Sequence, residues 1–480
     1  MNFRAILHYG LITAGAGLLI WYALCLPEDL FKGTDYSTVV VDRHGELLGA
    51  RISKDGQWTF PPEAYSAERS GVSSSGREKY FTALTEFEDR WFRWHPGVNP
   101  VSICKAFISN VKAGHVVRGG STLTMQVIRM SRGKQRTVGQ KIIEAILATR
   151  LELRCSKDEI LDLYAAHAPF GGNVIGLDAA SWRYYGRPST ELSWGEAATL
   201  AVLPNSPSSI RLEKNREKLL DKRNRLLHKL MATGKLSPDE CSLACSEPLP
   251  SAPVPLPSHA MHLVDKLAAE NKGEYIRTDI DLNLQRRVEE ILARKNAELA
   301  AEGIGDLAAI VMEVSEDKVI AYCGNAAPER KRPGVNVDVA RAPRSSGSIL
   351  KPFLYCDALG DGALLPYSLI ADTPVNINGF TPQNYNMTYE GAVPAAEALS
   401  RSLNVPCVHL LKSYGVEKFM ENLKARGLTT LTRSASDYGL SLILGGGECR
   451  LDEVTAAYAE MAREYLSEKA GRDDKIALYY

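Results

Sequence analysis

Apolar side chains run almost without a break from Ala5 to Leu26, with Arg4 ahead of the run and Pro27, Glu28 and Asp29 behind it. The run is 22 residues long, and about 20 helical residues cross the hydrocarbon core of a bilayer. It therefore predicts one transmembrane helix. The basic residue before it and the acidic residues after it put the short N-terminus in the cytoplasm and the rest of the chain outside. Trp21 and Tyr22 sit near the outer end, where aromatic side chains favour the membrane interface. A cleaved signal sequence is the alternative. The run is long for one, Tyr22 to Leu26 offers no small-x-small cleavage site, and bulky Leu24 does not suit a lipoprotein signal before Cys25.

Beyond the run, Thr38 to Leu48 alternates as a β-hairpin with its turn at His44-Gly45. From Tyr80 to His228 apolar residues recur at helical spacings, as in Ile142, Ile143, Ile146, Leu147 and Leu151. Gly119-Gly120 and Phe170-Gly171-Gly172-Asn173 are the clear breaks. Glu247 to Ser258 is rich in proline and predicts a stiff linker. After it, Leu307 to Val314 and Lys318 to Cys323 read as two strands around an acidic turn, and helical patterns follow from Ser348. No internal repeat is visible. The pattern divides the chain into a tail (1–4), a membrane helix (5–26), a hairpin-bearing connection (27–64), a mostly helical domain (65–235), a proline-rich linker (236–275) and an α/β domain (276–480).

Composition changes little in this picture. Hydrophobic residues make up 45% and charged residues 24%, as in ordinary globular domains. Lys+Arg and Asp+Glu are both 57, so no basic excess points to nucleic acid. The nine cysteines are scattered from Cys25 to Cys449. Cys241 and Cys245 alone do not make a zinc motif, and the apolar surroundings of Cys104, Cys323, Cys356 and Cys407 predict buried free thiols.

Three segments carry candidate chemistry. Glu88-Asp89-Arg90-Trp91-Phe92-Arg93-Trp94-His95-Pro96-Gly97 sets two carboxylates beside aromatic rings, and desolvation by Trp91 and Phe92 would make a carboxylate a better base. Gly119-Gly120-Ser121-Thr122-Leu123-Thr124-Met125-Gln126 is a glycine turn entering a helix, where free amides and hydroxyls suit pyrophosphate. In Arg136 and Lys141-Ile142-Ile143-Glu144, Lys141 and Glu144 share a helix face with a cation just before it. Two separated carboxylates with a cationic cradle describe inverting glycosyl transfer from a pyrophosphate donor. Taken singly, each segment reads equally well as a solvated pair or a core neighbour.

Together and in this order, the segments resemble the glycosyltransferase domain of class A penicillin-binding proteins, the peptidoglycan polymerases. That family shows E-D-x-x-F-x-x-H-x-G, then G-G-S-T-[IL]-T-x-Q, then R-x-x-x-x-K-x-x-E, and all three patterns are complete here. Lys157 to Tyr164, with Gly171, Gly176, Ala179-Ala180 and Tyr184-Tyr185-Gly186, is also similar, as is Glu196-Ala197-Ala198 through Leu203-Pro204-Asn205-Ser206-Pro207. Ala166 departs from the pattern, which usually has Asn there. The resemblance implies a mostly α, lysozyme-like fold. It implies lipid-linked disaccharide-pentapeptide (lipid II) as substrate, with Glu88 as base and Glu144 assisting pyrophosphate departure, directly or through a divalent cation (magnesium or manganese). Asp89, Ser121, Thr122, Gln126, Arg136 and Lys141 would bind substrate, and no organic cofactor is implied. Val98 to Val117 would be a membrane-facing flap or, equally, an ordinary core helix.

A second constellation follows. Ser348-Ile349-Leu350-Lys351 places a hydroxyl and an amine at i,i+3, which share a helix face, so that a desolvated amine can take the hydroxyl proton. Ser402-Leu403-Asn404 comes later. Both resemble motifs of the penicillin-binding transpeptidase domain, and their flanks resemble the 1C-type subgroup. By that resemblance Ser348 is the acyl nucleophile, Lys351 its base, and Ser402 with Asn404 the proton relay and clamp. The third motif, Lys-Thr/Ser-Gly, has no counterpart. Lys469-Ala470-Gly471 is the nearest string, and Gly471 reads as the C-cap of a helix over Val454 to Lys469.

The resulting expectation is a multidomain, single-pass protein of the cytoplasmic (inner) membrane. A lysozyme-like glycosyltransferase domain and an α/β transpeptidase-like domain truncated at its C-terminus would face the periplasmic or outer side. Lipid II, nascent glycan strands, the membrane and other cell-wall synthesis proteins are its expected partners, and nucleic acid is not. A working bifunctional enzyme and a non-catalytic cell-wall scaffold are the rival readings.

Overall fold

Ser156, Ser193 and Ser237 each begin a helix in the same way: the hydroxyl accepts the amide three residues on, and a glutamate there reaches back to the serine. These capping boxes fix three helix starts that the periodicity alone leaves open by a residue or two. In the computed structural model, which describes residues 3–62, 75–113, 119–135, 137–205, 215–326 and 334–476, the chain forms two compact units. The first comprises Met1–Val41, Gly45–Ser258 and Val264–Arg277, and the second holds the remainder.

The first unit is mostly helical. Its centre is the Trp194–Val202 helix, in which Gly195 and every residue from Ala197 to Val202 are buried, as expected of a helix apolar all round. The Ser75–Glu88 helix lies against it. Their entry is tight at Gly76, where a Cβ would stand 2.5 Å from the carbonyl oxygens of Ser189 and Thr190. The Leu123–Arg132 helix packs on both Val138–Glu152 and Lys157–His167.

Two small sheets complete the unit. The expected hairpin forms, with Thr38–Val41 antiparallel to Leu47–Arg51 and Gly45 in the turn at φ 92°. Thr38–Val41 pairs on its other side, in parallel, with Tyr275–Arg277. A second sheet orders Trp58–Thr59, Val174–Ile175 and Pro169–Gly171. The stretch expected as a linker over 236–275 is only partly one. It holds the Pro238–Ser246 and Met261–Glu270 helices, and Cys241, Ala244 and Val264 are buried. Proline-rich composition marks only the extended piece between those helices.

The Phe3–Leu24 helix coincides with the expected anchor. Among the described residues no helix is long and apolar enough to cross a membrane, and the side chains of residues 1–12 lie outside that description. Pro100–Ala113 is a helix within the expected flap; residues 114–118 fall outside the described residues. Cys104, on that helix, is exposed and Cys356 half-buried, whereas Cys323 and Cys407 are buried. An apolar sequence neighbourhood therefore misplaced two of the four thiols, because a helix turns neighbouring residues to different faces.

In the second unit, Ala309–Glu313 and Lys318–Cys323 pair antiparallel as expected, with Asp317 at φ 57° in the turn. A separate core gathers Phe353, Leu354, Val408, Phe419 and Leu423. The last helix runs from Leu451 to Ile476 and so continues through Gly471. The predicted cap there is wrong: a single glycine costs a helix only about 1 kcal/mol, and good helix formers flank this one.

Candidate active site

Glu88 closes the Ser75–Glu88 helix, four and eight residues after the buried Leu84 and Tyr80. That spacing continues one helical stripe, and so the carboxylate is half-buried. Its Oε2 accepts a 2.8 Å hydrogen bond from Gln126 Nε2. The aromatic groups that enclose it are not those expected. Trp91 is 59% exposed, and the Phe92 ring lies under the Lys157 ammonium at 4.4 Å. Tyr80 and Tyr164 are the buried neighbours instead. Burial pushes both phenols up, Tyr164 is raised further by Tyr80, and the Glu88 charge adds to the rise in each. Lys222 also faces Glu88: burial pushes its ammonium down, and the carboxylate opposes that.

Asp89 turns inward. Its Oδ2 accepts from His95 Nε2 at 2.9 Å and from the Leu123 amide at 3.1 Å. The carboxylate thus ties the 89–95 loop to the start of the Leu123–Arg132 helix. Thr122 caps the same helix through the Met125 amide and donates to Gly97 O at 2.6 Å. The amides expected to bind pyrophosphate are therefore partly taken by Asp89 and Thr122, and both of these residues are buried. Ser121 stands just before the cap, half-buried. A chain of bonds continues from Thr124 to Glu152, Lys157 and His95 O.

Glu144 lies on the Val138–Glu152 helix in a buried stripe with Leu147, Ala148 and Leu151. Its carboxylate meets Arg129 Nε at 3.3 and 3.4 Å. Lys141 is exposed, and Arg136 lies outside the described residues. Arg129 and Gln126 are three apart on one helix, so a single helix face holds Gln126 against Glu88 and Arg129 against Glu144. Arg129 escaped the sequence reading; its spacing from Gln126 was the available signal. A divalent cation beside Glu144 would share one carboxylate with a guanidinium, and no cluster of three acidic, histidine or cysteine ligands occurs among the described residues. Arg129 thus already neutralises the one carboxylate that such a cation would find there.

In the second unit, Lys351 starts its helix fully buried, and burial pushes its ammonium down. Nζ donates to Ser402 O at 2.7 Å, Ser402 Oγ at 3.2 Å and Asn404 Oδ1 at 2.8 Å. Ser402 holds φ 55°, a strained value for a non-glycine residue, which presents both its oxygens to one amine. Asn384, absent from the sequence reading, receives the Asn404 and Val405 amides and donates to Asp372. Ser348 is exposed in the turn before the helix. Among the described residues none of the Lys351 side-chain bonds goes to it.

One helix thus faces two carboxylates in the first unit, and Lys351 meets Ser402 and Asn404 in the second. The Transglycosylase family matches residues 66–231, and the Penicillin binding protein transpeptidase domain matches residues 307–438. Together these are the two domains of a class A penicillin-binding protein, and the chain is similar to the 1C type. It is 37% identical over 425 residues to penicillin-binding protein 1C of Escherichia coli (strain K12), covering 88% of this chain and 54% of that protein. It is 29% identical over 430 residues to penicillin-binding protein 1F of Bacillus subtilis (strain 168), covering 86% and 57%. The chain spans about half the length of the curated relatives it matches. Among solved structures, penicillin-binding protein 1A from Haemophilus influenzae aligns over 88% of this chain and 68% of its own, at 15% identity and a TM-score of 0.43.

Proposed function

We propose that the first unit polymerises lipid II into β-1,4-linked glycan, with inversion and release of undecaprenyl pyrophosphate. The observation that carries this reading is the pairing of Gln126 with Glu88 and of Arg129 with Glu144 from one helix face. Glu88 takes the proton of the acceptor sugar hydroxyl as that oxygen attacks the donor anomeric carbon. The new C–O bond forms as the bond to pyrophosphate breaks, and the departing oxygens gain charge. Arg129, with Lys141 at the exposed edge, supplies cations for that charge, while Glu144 orients Arg129. Polymerisation of lipid II by wild type and by Glu88→Gln tests this. Loss in the variant is expected, and equal activity in both would sink the assignment.

The Phe3–Leu24 helix is proposed as a single-pass anchor with its N-terminus inside. Leu18, Leu19, Ile20, Trp21 and Leu24 are 54–75% exposed, a surface that suits lipid rather than water. Tyr22 bonds Thr149 at 3.0 Å, and Arg150 donates to Ala23 O, which supports an anchor that also positions the catalytic unit. Flotation of the full chain with vesicles, lost on deleting residues 1–26, is the expected result.

The second unit is proposed to lack acyl transfer. Among the described residues the Lys351 ammonium bonds to Ser402 and Asn404 and makes no bond to the Ser348 hydroxyl.

A further inference from the structure

Two residues before Glu88 lies a carboxylate that belongs to none of the recurring motifs. The Glu86 side chain is 1% exposed. Lys229 Nζ stands 3.1 Å from its Oε1, and Lys235 Nζ 3.0 Å from its Oε2. Lys229 also donates to the Glu86 carbonyl oxygen at 2.6 Å, and Arg90 Nε lies 3.7 Å from Oε1. Three cations thus surround one buried anion at the helix end that bears the base. Burial alone would push the Glu86 carboxyl up, but bonds from Lys235 and Lys229 hold it below its ordinary range. Lys229 lies on the Arg216–Ala232 helix, which also carries Lys222 toward Glu88.

We propose that Glu86 is a positioning residue for the base: it clamps the last turn of the Ser75–Glu88 helix to Lys229 and Lys235 and cancels their charge at the helix end that carries Glu88. The inference rests on Glu88 being the base. Without Glu86, two ammonium groups at the helix end that carries Glu88 would be uncompensated, and a positive field stabilises a carboxylate and weakens it as a base. Among the described residues Arg90, Lys222, Tyr80 and Tyr164 also face this helix end, Asp89 follows it with its carboxylate on His95 and Leu123, and none of these is altered in the variants below.

The test is the pH profile of lipid II polymerisation by the full chain. Glu86→Gln should lower kcat roughly tenfold with KM held within about twofold. Its acid limb should move down by roughly half a pH unit, the size expected of a charge several ångströms away at an intermediate dielectric. Lys235→Met, with a side chain 38% exposed, should move the limb up instead. A purely structural clamp would lower the rate in both and leave the limb in place, and that result would overturn the proposal. If Glu86→Gln does not fold, the upward shift in Lys235→Met still decides the matter: its presence supports the charge role and its absence removes it. Activity in Glu88→Gln would overturn the base assignment itself, whereas a silent Glu88→Gln with unmoved limbs would overturn only the role of Glu86.

Discussion

The side-chain amide of Gln126 donates to the carboxylate of Glu88 across 2.8 Å, joining two residues 38 positions apart. Three residues later on the same helix, Arg129 meets Glu144. The helix is therefore a shelf that sets both carboxylates, and its own start is set by Asp89 and Thr122.

Removing the first contact with Gln126→Met keeps side-chain length and deletes the donor. A hydrogen bond to a charged group contributes about 1.5–3 kcal/mol, so kcat/KM for lipid II polymerisation is expected to fall roughly 10- to 100-fold. Circular dichroism should be unchanged. Arg129→Met should cost more, because it also leaves Glu144 with no guanidinium in a site where its side chain is 8% exposed. A loss of about 2 kcal/mol of stability, measured by urea unfolding, is expected alongside loss of activity.

Asp89→Ala tests the reading of Asp89 as an internal strut. It removes the partner of the buried His95 and the acceptor for the Leu123 amide. Losing a cap costs about 1 kcal/mol, and leaving a buried polar group unpaired costs about 1–3 kcal/mol more. Thermal unfolding should show a clear drop in Tm, with activity falling in step with the folded fraction. Full stability with selective loss of substrate affinity would assign Asp89 to substrate instead.

The first unit should weaken in mild acid through His167. Its ring stacks on Phe31 at 3.4 Å, Nδ1 donates to Leu163 O, and Nε2 accepts from Tyr36. Burial pushes its pKa down from 6.5 to about 4, against the opposing pull of the Leu163 carbonyl and the Asp29 charge. The unfolded chain therefore takes up the proton first as pH falls. Stability is full above pH 6.5 and declines toward pH 4, by roughly 3 kcal/mol for this group. In His167→Gln the slope of stability against pH across that window should flatten.

Penicillin labelling tests the second unit. A fluorescent penicillin is not expected to acylate Ser348, since among the described residues no side-chain bond of Lys351 reaches the Ser348 hydroxyl. A covalent adduct on Ser348 of this chain, absent in Ser348→Ala, would show the acylation step to be intact.

Local order determined much of this protein from the sequence alone. The hairpin over Thr38 to Leu48 and the strands over Leu307 to Val314 and Lys318 to Cys323 follow from alternation that the backbone imposes without reference to distant contacts, the apolar run of 5–26 from its length, and the order of the motifs from resemblance to a family. Tertiary structure alone decided what each motif residue faces. Asp89 and Thr122 carry the right chemistry for substrate yet are spent inside the fold. Arg129 and Glu86, outside the motif reading, gain their places from partners 15 and about 140 residues away. The ammonium of Lys351 belongs to Ser402, not to the serine one turn before it. Spacing places a side chain on a helix face, but the occupant of the space beyond that face comes from another part of the chain, and burial then makes that partner decisive.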